Sequence, residues 1–92
     1  MEDILIQLGL DRYTGTLSKN NAYVVDLDTD IDFGKVYSTL EDNDDIEQLD
    51  DNTLLTVHNA SIFYEYQDKY QLNLKGNFDT EEYSLVITEI KE

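Results

Sequence analysis

Hydrophobic residues in the last forty positions alternate with polar ones, as in strands that bury one face. Ile62, Tyr64 and Tyr66 occupy every second position of one stretch, and Leu72 and Leu74 do so in the next. This period of two is typical of β-strands. With a β-rich stretch on either side, the pattern predicts a four-stranded β-meander over residues 53–58, 61–67, 70–75 and 83–90.

Two other segments have the spacing of amphipathic helices. Leu5 and Leu8 lie on one stripe of a short helix predicted near the start of the chain, and Phe33, Val36 and Leu40 follow helical spacing further on. Residues 13–18 and 22–28 flank a polar, Asn-rich turn and predict a β-hairpin. The expected fold class is α+β: a small single domain over residues 1–92, with an antiparallel sheet or meander and one or two short helices.

Aspartate occupies every second position on the second strand of this hairpin and its extension, at Asp26, Asp28, Asp30 and Asp32. On a strand, such carboxylates point outward and lie roughly 6.6–6.8 Å apart. Neighbouring phosphates along one DNA strand are roughly 6–7 Å apart once their winding is included. The sequence therefore predicts a row of charges with nearly the spacing of a nucleic-acid backbone. Asp30 or Asp32 is also a candidate N-cap of the helix that follows.

The charge of the chain is concentrated in the same region. The 21 acidic and six basic residues give a net charge of −15. Residues 26–51, here called the acidic segment, hold eleven acids and one base, Lys35, and so contribute −10 of this charge. Within it, residues 41–51 carry seven acids, and Ile46 and Leu49, three apart, predict a single helical turn there. Net charge repels itself in a compact fold, so a localised excess suggests a functional surface.

Several functional classes are disfavoured by the residues present. The chain has no cysteine, which excludes disulfides and thiolate chemistry. Neither register of the aspartate series supplies the glycine and glutamate of an EF-hand loop, so no metal or other cofactor is expected, although a calcium site of another kind stays an alternative. His58 is the single histidine and lacks a plausible nucleophile, so we do not expect an enzyme. The absence of a basic leader and of a long apolar run predicts a cytoplasmic protein that contacts no membrane.

A dense anionic surface favours a basic partner protein, not direct contact with nucleic acid. We therefore expect the acids of the acidic segment to contact a basic DNA-binding protein, in the role of phosphates. They are Asp26, Asp28, Asp30, Asp32, Glu41, Asp42, Asp44, Asp45, Glu47, Asp50 and Asp51. A homodimer is a further hypothesis, since a duplex has two phosphate rows.

In length, composition and charge the whole chain resembles the bacteriophage DNA-mimic proteins, and is closest in character to the T4-type antirestriction nuclease proteins (Arn). This resemblance rests on no motif. It implies a phage inhibitor of a host restriction endonuclease that cuts modified DNA, acting in the host cytoplasm as part of host–virus interaction. An immunity or antitoxin-type inhibitor of a nuclease toxin, an acidic anti-CRISPR protein, and a merely acidic structural domain are the alternatives.

Overall fold

In the part of the chain that the structure describes, six strands form a single antiparallel sheet, and two helices accompany it. The computed structural model describes residues 3–10, 12–13, 15–18 and 22–90. The elements in chain order are α1 (Asp3–Gln7), β1 (Gly15–Leu17), β2 (Ala22–Leu27), α2 (Asp30–Asp42), β3 (Ile46–Leu55), β4 (Asn59–Tyr66), β5 (Tyr70–Asn77) and β6 (Glu82–Glu89). The strand order β1-β2-β6-β5-β4-β3 joins the predicted hairpin to the predicted meander through β2 and β6. The α+β class is confirmed.

The core lies on one face of the sheet. Alternate residues of β4, β5 and β6 point to this face, including Tyr64, Leu72, Leu85 and Ile87, all fully buried. Helix α2 contacts β2, β3 and β6 and adds Val36 and Leu40 to the core, while α1 and the residues after it add Leu5, Leu8 and Leu10. The predicted alternation of β4 and β5 is therefore confirmed, as is the helical spacing around Val36.

Helix α2 begins one residue after its N-cap, Thr29, whose side-chain oxygen accepts a hydrogen bond from the backbone N–H of Asp32 at 3.2 Å. The aspartates of the first turn, Asp30 and Asp32, suit the positive end of the helix dipole. Because a threonine side chain supplies the cap, the prediction that Asp30 or Asp32 caps the helix is wrong.

Aromatic packing fixes the start of α2 over one end of the sheet. Phe33 meets Phe78 edge-on, with ring centroids 5.8 Å apart, and lies 5.6 Å from the ring of Tyr83. Gly76 makes room for this contact, because a Cβ there would lie 3.0 Å from ring carbons of both Phe33 and Tyr83. The contact holds the first turn of α2 beside the turn between β5 and β6.

The acidic residues 41–51 are not a helical turn, and that prediction is wrong. Glu41 and Asp42 end α2, a short connection follows, and β3 runs from Ile46 along β4. Ile46 pairs with Tyr66 on the core face, whereas Leu49 pairs with Phe63 on the opposite face. Their spacing of three therefore puts these two side chains on opposite sides of a strand, since side chains alternate. The predicted meander leaves residues 59–60 as the connection between its first two strands, whereas the connection lies at 56–58.

Candidate binding surface

The aspartate series is divided among three elements. Asp26 is the last but one residue of β2 and points to the sheet face opposite the core, Asp28 lies in the connection, and Asp30 begins α2. The prediction of one extended strand through Asp32 is therefore wrong. The reason is local: Thr29 offers a strong helix cap, and the apolar residues from Phe33 onward gain more by packing as a helix than by continuing β2.

Asp30 and Asp32 lie on different sides of α2. Two residues along a helix turn by about 200°, so their side chains diverge. Asp32 is partly buried and accepts a hydrogen bond from the hydroxyl of Tyr13 at 3.3 Å. Asp30 is exposed and, with Asp28 and Glu81, lines a small hollow next to Tyr83. A straight row with the repeat of a phosphate backbone is thus not formed by these four residues.

The local charges act on the tyrosines that they face. Burial, followed by the neighbouring carboxylate of Asp32, raises the pKa of the Tyr13 phenol above its usual value. Burial also raises the pKa of Tyr83, and the charges of Asp30 and Glu81 add to this shift. Because their pKa values are raised, both phenols stay neutral to higher pH and add no negative charge near the first turn of α2.

A groove at the end of the sheet brings two of the predicted acids together with two that the sequence did not single out. Asp26 and Asp28 lie along it with Glu81 of the β5–β6 turn and Glu82, the first residue of β6. Lys75 is the basic residue among its described lining, and the volume is about 710 Å³. Glu81 and Glu82 were missed because their contribution depends on the pairing of β2 with β6, which no local pattern predicts.

The remaining described acids of the segment lie in the last turn of α2 and in the residues that follow it. Glu41, Asp42, Asp44, Asp45 and Glu47 are exposed. The backbone between them is fixed locally, since the side chain of Asn43 accepts a hydrogen bond from the N–H of Asp45 at 2.9 Å. Asp50 and Asp51 belong to β3, but their side chains lie outside the described residues, and so does any test of their predicted role.

Glu41 is the member of this group with a contact to the core. It accepts a hydrogen bond from the hydroxyl of Tyr64 at 3.4 Å. Burial, with the charge of Glu41 as the next cause, raises the pKa of Tyr64 far above its usual range. For Tyr37, which is exposed, the charge of Glu41 is the main cause of a raised pKa.

A second group of acids faces away from α2. The carboxyl of Glu65 shares a hydrogen bond with Asp68, and this contact is the main reason that the pKa of Glu65 is raised. Partial desolvation and the charges of Asp68 and Glu47 raise it further. Glu47 lies directly opposite Glu65 across the β3–β4 pair. Like charges in this position repel, so the contact is unfavourable for the fold.

Basic side chains leave this acidity almost unneutralised. Within the described part of the chain, the one ion pair joins His58 Nδ1 to Asp79 Oδ2 at 3.0 Å, outside the acidic segment. The described residues contain no group of three His, Asp or Glu side chains arranged to hold a metal ion. None of the helices described is long and apolar enough to cross a membrane.

The fold and the surface together define a small α+β domain with an extended anionic surface, on which the described acids form no ion pair with a described Lys or Arg. No family model, curated protein or solved structure matches the chain.

Proposed function

We propose that this protein is a DNA-mimic inhibitor that occupies the basic DNA-binding cleft of a host defence nuclease, in particular a restriction endonuclease that cuts modified DNA. The observation that carries this proposal is the state of the described acids between Asp26 and Glu47: all but Asp32 are exposed, and none forms an ion pair with Lys or Arg. A basic cleft would supply the missing counter-charges.

The positions of several acids support a role outside folding. Glu41 and Asp42 lie in the last turn of α2, which contains no basic residue. Negative charge at this end opposes the helix dipole, at a cost of roughly 0.3–1 kcal/mol for each residue. The Glu47–Glu65 pair is unfavourable for the same kind of reason. Acids that weaken the fold and form no ion pair are consistent with selection for binding.

The imitation proposed here depends on charge density across several elements and not on one regular row. The acids project from the end of β2, the start and end of α2, the connection after α2 and the first part of β3. A cleft that grips DNA through Lys and Arg gains mainly from releasing counterions, a term that depends on how many charges meet. The free energy of counterion release does not require regularly spaced charges. Irregular spacing does limit the number of ion pairs that one rigid cleft forms with these acids.

Competition with labelled DNA for a purified modification-dependent restriction endonuclease tests the proposal. The protein should displace the DNA, and its apparent affinity should fall steeply as salt rises. Neutralising Asp42→Asn, Asp44→Asn and Asp45→Asn together should weaken binding by roughly 0.6–3 kcal/mol, if each exposed ion pair contributes about 0.2–1 kcal/mol.

The matched control neutralises three acids elsewhere, Glu65→Gln, Asp68→Asn and Glu89→Gln, and so makes the same change in net charge. A smaller effect of this control would assign the contact to the acidic segment. Equal effects of the two triple variants would show general electrostatic attraction without a defined contact. Failure to displace DNA at low salt would reject the proposed target, and inhibition of a nuclease toxin instead would support the immunity-type alternative.

A further inference from the structure

The sheet face opposite the core carries an apolar row across five strands. The strand pairings place Val24, Val86, Asn73, Phe63 and Leu49 side by side in this order, from β2 to β3. Each of the five side chains is partly buried. Neither helix supplies a residue of this row, because the helices add their side chains to the core on the other face.

The one polar residue in the row is already bonded within its own chain. The side-chain amide of Asn73 donates hydrogen bonds to Ser61 Oγ at 3.0 Å and to the backbone carbonyl of Ile62 at 3.3 Å. The main cost of burying an amide is an N–H group left without an acceptor. The N–H groups of Asn73 keep their acceptors when a partner surface covers them. The row can be buried as a continuous stripe.

Charge is scarce on this face in comparison with the rest of the molecule. Its described positions carry four acids, Asp26, Glu47, Glu65 and Glu82, and one base, Lys75, which sum to −3 of the total −15. All five lie outside the apolar row. Most of the surface would repel a second copy of so acidic a chain, and the repulsion is weakest at this face.

The edges of the sheet are poorly suited to pairing between copies. β1 is only three residues long, and β3 is interrupted between Leu49 and Leu54 and has Glu47 near its start. Short strands, irregularities and charges are the usual protections of a sheet edge. Association through a face is therefore favoured over association through an edge.

The size of the face matches what a stable dimer needs. Six strands at about 4.8 Å and eight residues at about 3.4 Å give a face of roughly 700 Å² in each copy, allowing for the short β1. Two copies would then bury on the order of 1,400 Å², within the range of roughly 1,200–2,000 Å² for specific interfaces. Sheets pack in this way about 10 Å apart.

We propose that two copies of this chain form a symmetric dimer through this face, with the row from Val24 to Leu49 at its centre. α2 and the acids at its two ends then point outward on both sides, so that the dimer presents two anionic surfaces instead of one. Asp26 and Glu47 lie on the dimer face and are not part of these surfaces. This inference stands on the sheet face alone and does not depend on the proposed function.

Sedimentation of the full chain tests the dimer, and salt separates it from target binding. The protein should sediment at twice its chain mass of 10.7 kDa, and the dimer should tighten as salt screens the repulsion between copies. Binding to a basic target should weaken under the same change. The two proposals thus predict opposite salt dependences and can fail separately.

Variants on and off the face complete the experiment. Val86→Lys should weaken dimerisation by about tenfold or more, since a buried charge at the centre of an interface removes 1.4 kcal/mol or more. Ile31→Lys makes the same change in net charge at a residue that is 65% exposed on α2, and should leave the dimer intact. Phe63→Thr, which adds no charge, is a second variant, and circular dichroism confirms that each variant folds. A monomer at all salt concentrations, or a dimer unaffected by both face variants, would overturn the proposal.

Discussion

At the scale of single residues, Tyr64 connects the core to the acidic surface. Its ring is fully buried, and its hydroxyl reaches Glu41 at the end of α2. Burial and the adjacent carboxylate both oppose ionisation of the phenol, and therefore raise its pKa. The charge of Glu41 at the surface therefore affects the pKa of a tyrosine in the core.

Folding stability should therefore fall in alkaline solution. The pKa of Tyr64 in the folded state lies above the unfolded value of about 10. From about pH 10 upward the unfolded chain releases this proton while the folded chain keeps it. Stability is thus complete below pH 10 and declines above it by up to about 1.4 kcal/mol per pH unit for this group.

Urea unfolding of Tyr64→Phe at a series of pH values measures this effect. The variant should lose roughly 0.5–1.5 kcal/mol at neutral pH, the usual contribution of one hydrogen bond. It should also lose less stability than the wild type between pH 10 and the most alkaline point. An unchanged alkaline slope would show that the environment of this hydroxyl is not responsible.

At the scale of elements, α2 carries acids at both of its ends. Those of the first turn, Asp30 and Asp32, are favoured by the helix dipole, and those of the last turn, Glu41 and Asp42, are disfavoured. The sequence signal of the helix is strong because Phe33, Val36 and Leu40 repeat at helical spacing. The acids at its two ends are chemically alike, yet they should differ in their effects on stability.

A matched pair of substitutions separates the dipole from the net charge. Asp30→Asn and Asp42→Asn each remove one negative charge, and both residues are exposed. Asp42→Asn should be the more stable of the two by roughly 0.6–2 kcal/mol, since the dipole contributes about 0.3–1 kcal/mol of opposite sign at each end. The difference in urea midpoints should shrink as salt rises. Equal midpoints at low salt would show that net charge alone determines the response.

Strand β3 shows why local pattern failed where it did. Of the first residues of β3, Ile46 and Gln48 lie opposite core tyrosines, and only Ile46 of these two is apolar. An edge strand therefore needs little apolar sequence. Its many acids then hide the period of two that identified β4 and β5. The aspartate series failed for the converse reason: its alternation crosses a strand end and a helix start, and Thr29 decides the boundary. Sequence predicted the α+β class and the acidic region, but not how the acids are arranged.

At the scale of the whole molecule, the pairing of β2 with β6 determines which charges meet. It brings the hairpin beside the meander and places Asp26 and Asp28 next to Glu81 and Glu82. These two pairs of residues are more than fifty positions apart in the chain, and nothing local links them. The same pairing joins Val24 to Val86 and so completes the apolar row. The meeting of the groove acids and the apolar row thus both depend on this one long-range pairing.

The net charge should make the fold itself sensitive to salt and to pH. The molecule measures 35 × 27 × 26 Å, and the Debye length falls from about 30 Å at 0.01 M salt to about 3 Å at 1 M. Salt should therefore raise the melting temperature at pH 7 by screening repulsion across the molecule. Acidification should do the same: the raised pKa of Glu65 means that the folded chain takes up this proton first, so stability is gained as pH falls. Calorimetry of Val86→Lys, at a protein concentration at which this variant sediments as a monomer, excludes a contribution from dimerisation, which also stabilises the fold. A melting temperature of this variant that stays constant or falls with added salt would show that the carboxylates are too dispersed to repel one another. The number of acids would then not reduce the stability of the fold.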